Sequence, residues 1–81
     1  MRRNQLRIHY RADNLGRGGR HQVEGDIIAK SAKDALPAVR HATRRSRGSL
    51  GPTEPHTYVA NFKAVSRTGS TRKLRCIRFS I

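Results

Sequence analysis

Eighteen Lys and Arg residues stand against five acids in 81 residues, a formal net charge of +13, and 14 of the 18 bases are arginine. Solubility alone does not call for that much charge of one sign, and self-repulsion penalises the compact state. A chain of this length builds one small domain, expected over 1–81, with a thin core. One cysteine, Cys76, excludes an internal disulfide and a multi-cysteine zinc site. No apolar run is long enough to span a bilayer, and Met1-Arg2-Arg3-Asn4 leads into no signal-like stretch, so a cytoplasmic location is expected.

From Gln5 to Arg11, Leu6, Ile8 and Tyr10 alternate with Arg7, His9 and Arg11. That period of two predicts a half-buried strand with a cationic outer face. The stretch from Asp13 through Arg20, rich in Gly and Asn, predicts a turn or flexible loop. A second strand is expected from about His21 to Lys30, where Gly25 implies a bulge or the close approach of another backbone.

Ser31-Ala32-Lys33-Asp34 has the form of a capping box. Ala35, Leu36, Val39 and Ala42 follow at helical spacing, while Arg40, Arg44 and Arg47 form another stripe turned away from them. Pro37 leaves two starts open. From a Ser31 cap it is the sixth helical residue, where proline costs roughly 3 kcal/mol; from an Asp34 cap it is the third, where it costs little. The helix is expected to end near Arg45.

Ser46 to His56 is a Gly/Ser/Pro linker. Beyond it Tyr58, Ala60, Phe62 and Ala64 alternate, Thr68-Gly69-Ser70 turns, and Ile77, Phe79 and Ile81 alternate again. Paired around that turn, Tyr58, Ala60 and Phe62 fall opposite Ile81, Phe79 and Ile77, with Lys63, Arg78 and Arg72 on the other face. The sum is an α+β domain, β-β-α-β-β, with a four-stranded antiparallel sheet and one helix packed on one face. The uncovered face would carry Arg7, His9, Arg11, Lys63 and Arg78.

The bases fall into groups: Arg2 and Arg3; Arg17 and Arg20 in the Gly loop; Arg40, Arg44, Arg45 and Arg47 near the helix end; and Arg72, Lys73, Arg75 and Arg78 in the last strand. A solvated surface is the bland account of such runs. With acids so scarce, a polyanion footprint is the better one, nucleic acid phosphate first, since arginine contacts phosphate bidentately and is always charged. Gly16-Arg17-Gly18-Gly19-Arg20 has the look of a single RGG element, although one copy between two strands is more often just a hairpin loop, where glycine meets positive-φ demands; the two readings are compatible.

His9, His21, His41 and His56 match no zinc spacing, and no acid is placed with any of them in a recognisable arrangement. Tyr10 and Tyr58 alternate with core positions and are expected in the core, and Cys76 as a half-buried small hydrophobe. No cofactor, metal, membrane or small-molecule substrate is expected, and no enzymatic activity.

The segment from Val23 to Ala35, a strand running into a capped helix, together with the size and the β-β-α-β-β layout, resembles small phage-encoded anti-CRISPR proteins. The resemblance implies binding to a host RNA-guided nucleoprotein complex and blockage of its DNA channel. Many of those proteins are acidic DNA mimics; this basic chain departs from that pattern, and would cover acidic protein surface or touch guide RNA or DNA. The expected function is a non-enzymatic nucleic-acid-binding protein, DNA or RNA, held by phosphate contacts. The alternatives are an inhibitor of a host nucleoprotein complex and a small ribonuclease toxin.

Overall fold

A computed structural model describes residues 5–15, 21–46 and 57–81. Strands β1 (Leu6–Asn14) and β2 (Gln22–Ala29) precede helix α1 (Ala32–Ser46), and β3 (Thr57–Val65) and β4 (Thr71–Ser80) follow it. The sheet order is β2-β1-β3-β4, every neighbouring pair antiparallel. Strands β2 and β3 are thus parallel to each other with β1 between them, and α1 is the crossover that joins them. The expected fold is the one observed. Strand β1 runs on through Asp13 and Asn14, taking in the start of the stretch read as a loop, and Ser46 belongs to the helix rather than to the linker.

Alternation sorts the sheet into two faces. Ile8, Tyr10, Ala12, Tyr58, Ala60, Phe62 and Phe79 are buried together with Ala32, Ala35 and Val39 of the helix. Leu36, Ala42, Leu74, Ile77 and Ile81 pack against this cluster. Each large apolar side chain removed from water in this way contributes about 1.5–3 kcal/mol.

Helix α1 starts from the earlier of its two candidate caps. The Asp34 N–H donates to Ser31 Oγ at 3.2 Å, and the Ala35 N–H donates to the Ser31 carbonyl at 3.1 Å. Pro37 therefore stands sixth, inside the helix and exposed. The bond it removes is the one to the carbonyl of Lys33, an exposed residue that water can serve instead. Thr43, absent from the expected apolar stripe, is fully buried because its hydroxyl donates back to the Val39 carbonyl at 2.7 Å.

The hairpin pairs two residues away from the expected register. Tyr58 faces Phe79, Ala60 faces Ile77 and Phe62 faces Arg75. The turn closes early, with the Ser66 N–H donating to the Ser70 carbonyl at 2.8 Å and Gly69 at a φ of +89°. An irregularity between Phe62 and Lys63 leaves Leu74 as the extra residue of β4, since Phe62 faces Arg75 and Lys63 faces Lys73. This bulge restores the apolar parity toward the strand end, yet it moves Arg72, opposite Ala64, to the helix side. Arg72 does not share a face with Lys63 and Arg78.

At the far end His21 joins three elements. Its Nδ1 lies 2.6 Å from the Tyr58 hydroxyl and its Nε2 lies 3.0 Å from Ser46 Oγ. The His21 ring meets Tyr58 edge-on, and Tyr58 stacks on Phe79.

Candidate nucleic-acid interface

The face that α1 leaves open is divided by charge. Strand β1 places Arg7, His9 and Arg11 there, as expected, but β1 and β2 also bring Asp13, Glu24 and Asp26 to the same side. Arg11 Nε lies 3.4 Å from Asp13 Oδ1 and 4.0 Å from Glu24 Oε1, so its charge is shared with two acids. Exposed pairs of this kind add little stability. They do lower the local positive potential, so this half of the face attracts a polyanion less than the sequence implied.

The other half differs. Residues 57–81 hold Lys63, Arg67, Arg72, Lys73, Arg75 and Arg78 and no acid at all. All six of these cations are exposed. Lys63, Lys73 and Arg78 lie on the open face, while Arg72 and Arg75 face the helix side along the sheet edge. Arg75 and Lys73, grouped only as part of a run in the sequence, take distinct positions through the bulge at Leu74.

A third set sits on the helix. Arg40, Arg44 and Arg45 are exposed, opposite the buried Ala32, Ala35, Val39 and Thr43. Arg40, His41 and Arg44 line a shallow hollow of about 340 Å³ with Pro37. The only acid of the helix, Asp34, is in its first turn, and Arg44 and Arg45 are in its last. That polarity suits the helix dipole, and it also leaves the C-terminal half purely cationic. The expected interface residues Arg17, Arg20 and Arg47 lie outside the described residues.

Sequence reading paired no acid with any histidine, and the strand register corrects this. His9 faces Asp26 across β2, with its Nδ1 3.2 Å from Asp26 Oδ1, and faces Lys63 across β3. The signal was non-local, since the pair is 17 residues apart in sequence. Both side chains are well exposed to water. No group of three or more His, Cys, Asp or Glu side chains able to hold a metal occurs among the described residues. No helix among them is long and apolar enough to cross a membrane.

Two further expectations change. Cys76 faces Asn61 on the open side and is exposed rather than half-buried. Gly25 is approached by a side chain, not by another backbone: a Cβ there would lie 2.9 Å from Tyr10 Cε1 and Oη. Burial under this contact raises the Tyr10 phenol above its ordinary value of 10.0, and the negative charge of Asp26 pushes it the same way.

No protein-family model, no curated protein and no solved structure matches the chain.

Proposed function

We propose that this protein binds nucleic acid without catalysis, through phosphate contacts made by the β3–β4 hairpin and the outer face of α1. The observation that carries the reading is the segregation of charge. Asp13, Glu24 and Asp26 gather on β1 and β2, whereas residues 57–81 and the C-terminal half of α1 present exposed cations without acids. A surface built only to solubilise the domain has no need to keep its acids to one side. Arginine and lysine on an acid-free surface attract phosphate at long range and release its counterions on contact. The α-carbons of Arg40 and Arg44 stand about 6 Å apart along the helix axis, from a rise of about 1.5 Å per residue, on one face of the helix.

The reading is tested by replacing Arg40, Arg44 and Arg45 with Gln, which keeps helix propensity and removes three charges. Affinity for a mixed-sequence oligonucleotide should fall at least tenfold, or about 1.4 kcal/mol, with the thermal midpoint little changed. Unchanged affinity would remove the helix from the interface. Capture of partners from a lysate with and without nuclease separates this reading from inhibition of a nucleoprotein complex. Partners lost on nuclease treatment support direct binding to nucleic acid; a protein partner retained after it speaks for the inhibitor.

A further inference from the structure

Resting on the phosphate-contact reading, the geometry points to a narrower ligand class: we infer that β4 is a ridge that enters a groove of double-helical nucleic acid and meets phosphates on both walls. Strand β4 is an edge of the sheet, so among the described residues its outer backbone groups have no strand partner. Its four cations are splayed to two sides. Lys73, opposite Lys63, and Arg78, opposite Val59, stand on the open face. Arg72, opposite Ala64, and Arg75, opposite Phe62, stand on the helix side. Strand alternation gives two cations to each side, and the bulge at Leu74 decides that Arg72 rather than Lys73 joins Arg75 on the helix side.

From Arg72 to Arg78 strand geometry spans about 20 Å. That length faces about six base pairs of duplex at 3.4 Å each. A two-stranded ribbon of strand fits the roughly 12 Å major groove of B-form DNA. A single strand offers one phosphate line instead, and proteins that hold it rely on bases stacked against aromatic rings. All four aromatic side chains here, Tyr10, Tyr58, Phe62 and Phe79, are buried in the core and offer no stacking platform. The competing account is that the edge cations only prevent sheet-to-sheet aggregation. For that role a charge of either sign suffices, whereas all four charges on β4 are positive.

The experiment measures anisotropy of a labelled DNA duplex, its two component single strands, and an RNA duplex of the same sequence, at low salt and again at a higher salt concentration. Two double variants are compared with the parent chain: Lys73→Glu with Arg78→Glu, and Arg72→Glu with Arg75→Glu. Glutamate keeps the edge charged, so edge-to-edge pairing stays blocked. Duplex should bind at least tenfold tighter than either single strand, and each variant should lose at least tenfold on duplex. A tenfold preference for DNA or RNA identifies the groove form; equal affinity for both supports phosphate walls alone. Single strands binding as tightly as duplex overturn the ridge, and so does either variant retaining parental affinity, while salt-dependent binding by the parent leaves the phosphate reading standing. No binding to any of these polymers overturns both. Should a double variant lose its fold on a melting curve, Arg78→Glu and Arg75→Glu singly pose the same question.

Discussion

The ring of Tyr10 lies over the α-carbon of Gly25, its cross-strand neighbour, so closely that a single methyl group would meet Cε1 and Oη at 2.9 Å. The glycine is there because the aromatic ring needs its space. Gly25→Ala should therefore destabilise the domain by about 1–3 kcal/mol through overpacking, despite the better strand propensity of alanine. Urea denaturation checks it. A neutral or stabilised variant would mean that the Tyr10 ring swings aside without cost.

Phe62 is fully buried at the middle of β3, next to the central strand β1. Phe62→Ala should cost about 3–5 kcal/mol, a large share of the stability of a domain this small, and leave it largely unfolded at 37 °C. Thermal melting by circular dichroism reads the outcome. A midpoint equal to that of the parent would contradict the placement of Phe62 in the core.

His21 ties the start of β2 to the end of α1 and the start of β3 through Ser46 and Tyr58. Tyr58 is fully buried, so His21→Ala strands a polar hydroxyl and should cost about 1–3 kcal/mol. In Tyr58→Phe the same His21→Ala change should cost less, because the stranded hydroxyl is already gone. A double-mutant cycle reads the coupling. Additive losses would show that the 2.6 Å contact carries no energy of its own.

The raised Tyr10 phenol gives the domain an alkaline weakness. Because the folded protein holds this proton more tightly than the unfolded chain, its contribution is complete below about pH 10 and is lost as pH rises through the folded value. Stability should fall above pH 10 more steeply in the parent than in Tyr10→Phe. Parallel pH profiles for the two proteins would contradict it.

Much of this fold was legible because each element is amphipathic with its own period. Tyr10, Tyr58, Phe62 and Val39 all declare their burial by spacing alone. What the sequence could not declare depends on contacts between segments. Asp13, Glu24 and Asp26 are unremarkable in the chain, and only the β1–β2 register brings them beside Arg11 and His9. The side taken by Arg72 turns on one bulged residue, Leu74, which no local pattern marks. Thr43 hides in the core through a hydrogen bond to its own helix. The expectation of cationic surface thus held for composition, while its division into a mixed half and an acid-free half came from tertiary structure.

The central claim is that phosphate contacts from an acid-free cationic surface carry the binding. The most direct measurement is the affinity for a mixed-sequence DNA duplex across a series of salt concentrations. Plotted as log affinity against log salt, the line should fall with a slope of about −0.9 for each phosphate neutralised, and become shallower by about one when Arg78 is replaced by Gln. A flat line, or no binding at low salt, would contradict the account.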